Sequence, residues 1–333
     1  MSLLYINDNG AKITTESNRI KVHYQDGMTK SLPIESVESI ILLGKSQITT
    51  QCMEKCLQNG IPIAFFSKGG SYFGRLMSTG HINAQLQRKQ ASMYDTSFAL
   101  ELSKRILEAK VHNQLVVLRR YAKSTKTDIK QEELQLTNSQ KKIERGKDIT
   151  QITGHEGLGA RYYFQGLSKC INENFAFSGR NRRPPLDPFN SMISLGYSIL
   201  MNLLYEEIEN HGLNPYFGFM HRDAEKHPTL ASDLIEEWRA VIVDALAMGM
   251  INGAEIQREE FYFDEESKGC YIQRKGLQTY LKKMERKLQT EIRYLQYVDY
   301  PVSFRRAVAL QVGKLVEAIR RESAEVYEPI RIR

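Results

Sequence analysis

Cysteine is scarce in this chain, and its placement excludes more than it suggests. The 333 residues carry four, Cys52, Cys56, Cys170 and Cys270, none in a Cys-x-x-Cys or mixed Cys/His arrangement. A structural zinc site is thereby excluded, and reduced, packed thiols point to a cytoplasmic protein. The N-terminus shows no basic-then-apolar leader, and no apolar run approaches the roughly 20 residues of a membrane helix. No membrane association is expected. Glycine-rich phosphate loops, internal repeats and low-complexity tracts are also missing. What is present is length enough for two domains with at least one substantial core. Lys and Arg number 46 against 39 Asp and Glu, a formal net charge of +7. That excess suits a polyanionic partner without singling one out.

Two patterns divide the chain. Residues 1–85 read as β-rich: LLYI, AKITTES, RIKVHYQ and MTKSLP are short segments separated by NDNG, Asn18 and QDG turn signals. ESIILLG is a continuous apolar run that suits a buried strand. ITTQCMEKCLQNG predicts a short helix closed by Asn59-Gly60, IPIAFFS resumes as a strand, and Gly69-Gly70 turns the chain into SYFGRLM. His23 stands alone on a strand, and no catalytic set is present, so this part reads as a scaffold or protein-contact domain.

Residues 86–333 read as helical. FALELSKRILEAKVHNQLVVLRRYAKS carries Leu and Ile at i, i+3, i+4 spacing. It is studded by Lys104, Arg105, Lys110, Arg119, Arg120 and Lys123, by default a solvated face and alternatively a phosphate-contacting one. Residues 124–150 are polar and predict a short exposed helix and connector. FYFDEESKGCYI predicts a small β-hairpin around Ser267-Lys268-Gly269. From Gln273 to Arg321 the chain is again helical and Lys/Arg-rich, with Tyr280, Tyr294, Tyr297 and Phe304 interleaved; most such aromatics are core, while base contact is the alternative. The expected fold class is therefore α+β, a small β-rich domain followed by a larger all-α one.

Three stretches carry chemistry. In GHEGLGARYYFQGL, Glu156 shares a helical row with Ala160, Tyr163 and Leu167. A carboxylate in an apolar row is costly unless it is paired or binds a metal. The competing reading is an acid favoured by the dipole at a helix start. In SGRNRRPPLDP, Arg180, Arg182 and Arg183 lie on a loop stiffened by two prolines, with Asp187 a candidate N-cap and Pro188 at the first helical position. Such arginines grip phosphate or local carboxylates. In GFMHRDAEKHPTLASDLIEEWR, a stripe of Leu230, Leu234, Trp238, Val241 and Ala245 puts Glu237 near its edge. Asp233 and Glu236 then point the other way, roughly 60° apart and able to share one target. His221, upstream of Pro228, is within reach of them. A histidine with one or two carboxylates suits Mn²⁺ or Mg²⁺ at a phosphoryl-transfer or hydrolytic site; a capped helix with a solvated acidic face is the alternative.

Taken in order, these segments resemble the CRISPR-associated integrase/endonuclease family, the universal adaptation protein of those systems. Glu156-Gly157 with Ala160-Arg161-Tyr162 and Tyr163 matches the family's EG-x-x-AR-x-Y/F segment. Arg182-Arg183-Pro184-Pro185, Asp187-Pro188, Asn190 and Gly196-Tyr197-Ser198 follow. Gly218-Phe219-Met220-His221 and Asp233-Leu234-Ile235-Glu236-Glu237 with Arg239 complete four matches at matching spacing. ESIILLG and IPIAFFSKGG resemble the family's amino-terminal domain, and SFRRAVALQ and YEPIRIR its final segments. One departure is the interval after His221, where HRDAEKHPTLASD with a second histidine, His227, stands in place of the usual Gly-Arg or Gly-Lys.

The resemblance implies Glu156, His221 and Glu236 as ligands of Mn²⁺ or Mg²⁺, with Asp233 a neighbouring catalytic acid. It implies DNA contacts for Arg161, Arg180, Arg182, Arg183, Arg239, Arg305 and Arg306. The implied activity is divalent-metal-dependent processing of double-stranded DNA and its integration into the CRISPR repeat by phosphodiester transesterification, as part of spacer acquisition in antiviral defence. The implied partners are a second copy of the chain, joined through the β-domain, and the small second adaptation protein.

Overall fold

The structure, a computed structural model, describes residues 2–70, 72–79 and 82–333. Eight strands come first: β1 (Ser2–Ile6), β2 (Lys12–Glu16), β3 (Arg19–His23), β4 (Thr29–Pro33), β5 (Val37–Leu43), β6 (Gln47–Ile48), β7 (Ile63–Phe66) and β8 (Tyr72–Leu76). Helix α1 (Thr50–Gln58) interrupts them. It is capped by the Thr49 hydroxyl, which accepts from the Cys52 amide at 3.3 Å, and it closes at Gly60 with φ +66°. Two four-stranded sheets result, one ordered β1-β5-β7-β8 and one β4-β3-β2-β6. Every predicted strand is found; β6, two residues long, was not foreseen, and Ser71 at the head of SYFGRLM lies outside the described residues.

The apolar run in β5 has a specific cause. Ile40 and Leu42 face a core shared with Ile13, Ile20, Cys52, Cys56 and Ile63. Ile41 and Leu43, on the opposite face, join the large core of the helical part. A strand buried on both faces loses the alternation that a half-exposed strand shows.

The helical part runs α2 (Ala84–Ser92), α3 (Ser97–Thr125), α4 (Lys130–Glu144), α5 (Ile149–Lys169), α6 (Pro188–Asn210), α7 (Thr229–Leu234), α8 (Glu236–Trp238) and, after a π-helical segment over Arg239–Asp244, α9 (Ala245–Asn252). The hairpin β9 (Phe261–Asp264) and β10 (Gly269–Ile272) follows, then α10 (Arg274–Gln289), the pair β11 (Glu291–Ile292) and β12 (Val302–Ser303), and α11 (Phe304–Arg321). The molecule is thus α+β as expected, with two small antiparallel pairs within the helical part.

Residues 124–150 correct the sequence reading. Helix α4 is no exposed connector: Leu136 and Ile143 are fully buried and the helix packs on α3 and α5. Its apolar residues are few because small ones carry the seam. A Cβ on Gly159 of α5 would stand 3.1 Å from the Ser139 Cβ of α4.

Candidate active site

Helices α3, α5 and α8 converge on one point. The N-cap of α5 is Asp148, which accepts from the Gln151 amide at 2.8 Å. Glu156 therefore sits two turns inside the helix, and the capping reading falls. Its Oε1 pairs with the Lys110 ammonium of α3. On the other side of the same ammonium stands Oε2 of Glu236. Lys110 is 7% exposed and Glu236 6%, so two carboxylates from separate helices share one buried cation. Glu236 Oε1 also pairs with Arg239 at 3.2 Å.

The segment carrying Glu236 is not a regular helix. After α7 the chain tightens, with the Trp238 amide donating to the Ile235 carbonyl, and then widens into the π-helical turn. Such turns re-aim side chains and recur at functional sites. Asp233 and Glu236 take different partners here, although the charge of each acts on His221. Asp233 turns toward the loop before α7, where it accepts from the amides of Phe219 (2.6 Å), Met220 (3.1 Å) and His221 (3.0 Å). It also accepts from Nδ1 of His221 at 2.7 Å. That bond fixes the His221 tautomer and leaves Nε2 as the free ring nitrogen. Asp233, 1% exposed, thus positions the histidine and does not face the shared cation. Glu237 turns a third way and accepts from the Tyr327 hydroxyl and, at 2.7 Å, the Ile330 amide.

The charges follow these contacts. Burial pushes Glu236 up, yet Arg239 and Lys110 outweigh it and hold the carboxyl down at about 2. Burial lowers His221, but its hydrogen bond to Asp233 and that group's charge leave it above the usual histidine value. Glu237, with no cation beside it, is pushed up to about 8 by burial. Glu156, Glu236 and His221 form an O, O, N donor set, and Glu236 Oε2, buried beside Lys110, receives no well-directed hydrogen bond. This chemistry fits a hard divalent cation. Among the described residues, however, no three His, Cys, Asp or Glu side chains already stand together as a metal cage. What is assembled is a cation site filled by Lys110.

The seven arginines divide. Arg161, Arg182, Arg183 and Arg306 are exposed. Arg180 and Arg239, half-buried, and Arg305, buried, each have partners within the protein. Arg180 donates to Asn190 Oδ1 at 2.9 Å and Ser194 Oγ at 3.1 Å, and lies over the Tyr197 ring. Arg239 is held by Glu236 and stacks on the other flank of Tyr197, 4.6 Å from its centroid. Arg305 joins the β-rich and helical parts, pairing with Glu38 of β5 at 2.7 Å and Glu285 of α10 at 2.9 Å.

Two participants were missed. Lys110 reads from the sequence as part of a solvated or phosphate-contacting face, although it lies a turn from Ile106 and Leu107 on the stripe of α3; the argument applied to Glu156 would have found it. His227 of the departing loop sets its ring 6.0 Å from that of His221, and Ser232 Oγ stands 3.2 Å from its Nε2.

A β-rich part set on a helical body that carries a partly buried acid–histidine cluster and exposed arginines defines the class, an α+β protein. A sequence model described as "CRISPR associated protein Cas1" matches residues 4–286, and the chain belongs to this endonuclease/integrase family. It is 32% identical over 320 residues to the CRISPR-associated endonuclease Cas1 of Mycobacterium tuberculosis, covering 96% of this chain and 94% of that protein. Among solved structures, a casposase bound to integration product superposes with TM-score 0.86 at 20% identity, over 97% of this chain and 92% of that one. A Cas6-RT-Cas1–Cas2 complex gives TM-score 0.84 at 24% identity over 98% of this chain, which spans 36% of that longer one. No helix among the described residues is long and apolar enough to cross a membrane.

Proposed function

We propose that this protein is a divalent-metal-dependent DNA integrase and endonuclease of CRISPR adaptation, joining new spacer DNA to the repeat by transesterification. The observation that carries this reading is the pair of carboxylates, partly buried Glu156 and buried Glu236, that reach one ammonium from two helices, with His221 close enough to Glu236 to feel its charge. These three side chains would hold Mn²⁺ or Mg²⁺, which, when bound, supplies stabilisation of charge on the phosphodiester oxygens. Asp233 holds His221 in orientation, and Arg239 and Lys110 favour the ionised form of Glu236. Arg161, Arg182 and Arg183 are free to bind DNA backbone. In the reaction a DNA 3′-hydroxyl oxygen bonds to the repeat phosphorus, its proton is lost, and the repeat strand's 3′-oxygen leaves. Water in place of that hydroxyl gives hydrolysis.

The reading includes double-stranded DNA as substrate, a homodimer joined through the β-domain, and a small second adaptation protein. Membership of the family and the Cas1–Cas2 neighbour support the last. The test is integration of a short duplex into repeat-containing DNA with Mn²⁺, for the wild type and Glu156→Ala. Equal activity in both would refute the metal assignment; inactivity of the wild type with its partner present would favour a DNA-binding assembly subunit.

A further inference from the structure

Lys110 has no role in the mechanism just given, yet it sits at its centre. It is a lysine 7% exposed to solvent, placed between the two carboxylates assigned to the metal, at ion-pairing distance from both. Counting the charges that face one another there, Glu156 and Glu236 stand against Lys110 and Arg239. The set is neutral before any ion arrives. A divalent cation added to it leaves a surplus of two positive charges at a largely buried point, where uncompensated charge is costly. Nearby anions give no relief: Asp233 is committed to three backbone amides and His221, and Glu237 to Tyr327 and Ile330. Asp244 accepts from the hydroxyls of Tyr163 and Tyr197. The missing negative charge must come from outside, and a phosphodiester is the anion this site is built to meet.

We propose that Lys110 is a positioning residue that makes metal loading conditional on DNA: it fills the cation site until a nucleic-acid phosphate supplies the charge that lets a divalent ion displace it. The inference rests on the metal reading above and adds to it a reciprocal coupling between ion and DNA. With the lysine in place, the free protein binds Mn²⁺ weakly, holding cleavage chemistry silent until substrate is seated. Without it, the two carboxylates repel one another and recruit the ion directly.

The experiment measures Mn²⁺ affinity by titration calorimetry for the wild type, Lys110→Met, Lys110→Gln and Glu156→Gln, each with and without a short DNA duplex, after thermal melting has confirmed folding. For the wild type, DNA should tighten Mn²⁺ binding by about tenfold or more. Both lysine variants should bind Mn²⁺ tightly without DNA, with the DNA-dependent gain largely gone. The two variants guard against one of them failing to fold. Unchanged Mn²⁺ affinity in a folded lysine variant, or no effect of DNA on the wild type, would overturn the coupling while leaving the metal site standing. Absence of any binding sensitive to Glu156→Gln, with or without DNA, would remove the metal reading and this inference with it.

Discussion

Among single residues, Asp233 has the most partners of any acid near the site. Its carboxylate takes three backbone amides and the Nδ1–H of His221. Asp233→Asn replaces one acceptor oxygen with a donor and lets the imidazole turn. Integration is expected to fall about 10- to 100-fold, as when other groups that orient a ligating histidine are changed. Adding His221→Ala to Asp233→Asn should cost far less than the two losses combined, since the residues act as a unit. Fully additive losses in a double-mutant cycle would show that Asp233 works independently. The residue scale also shows where sequence reasoning reaches. Glu156 was legible because a carboxylate in an apolar row violates the pattern around it. Lys110 carried the same signal but passed as one of six cations on a long helix. The partners that Arg180, Arg239 and Arg305 have within the protein were not legible, because the Tyr197 ring, Glu38 and Glu285 come from other elements, which spacing does not reveal.

At the scale of elements, the segment from Thr229 to Asn252 sets the geometry. Three acids that a regular helix would spread over roughly 100° instead serve three separate clients: a loop, a buried lysine and the C-terminal tail. The π-helical turn that follows these acids could not be read from an apolar stripe. It packs on α6 through Gly196, where an added Cβ would stand 2.5 Å from Val243 Cγ1 and 2.3 Å from the Tyr280 hydroxyl. Gly196→Ala is expected to destabilise the protein by about 1–3 kcal/mol in denaturant unfolding, through overpacking against that turn. The tail is the second support. Residues Tyr327 and Ile330 close over Glu237, while Asn113 of α3 donates to the Glu237 and Ile330 carbonyls at 2.9 and 3.0 Å. Tyr327→Phe leaves the shape and removes the hydroxyl donor. A loss of about 1–3 kcal/mol is expected, measured in the same way, because a buried carboxyl is left underbonded. By contrast, the predicted strands and α1 were legible almost entirely, since turn residues and capping act within a few positions.

For the whole molecule, buried acids near the joint between the β-rich and helical parts contribute to the response to pH. Arg305 reaches from α11 to Glu38 of the β-domain and Glu285 of α10. Glu206 and Glu207 lie in the same field, pushed up to about 8 and about 7, burial being the main cause in each. Their folded-state values, like that of Glu237, exceed the usual 4.5. Folding therefore favours the protonated forms, and their stabilisation is complete below about pH 4.5 and lost as pH rises through about 7 to 8. The thermal midpoint should fall over that window, and Glu206→Gln should flatten the slope; a midpoint rising with pH across it would contradict the assignment. DNA affinity belongs to this scale too. With +7 overall and exposed Arg161, Arg182, Arg183 and Arg306, binding should weaken steeply with salt. The α+β division was legible from the change of period near residue 85, whereas the docking of one domain on the other depends on pairings far apart in sequence.

The most direct test of the central claim is anomalous diffraction from crystals of the protein with DNA and Mn²⁺. The account predicts a manganese peak bound by Glu156, Glu236 and His221 Nε2, with the Lys110 ammonium withdrawn. A peak at Asp233 or Glu237, or DNA in place with Lys110 still between Glu156 and Glu236 and no peak there, would contradict it.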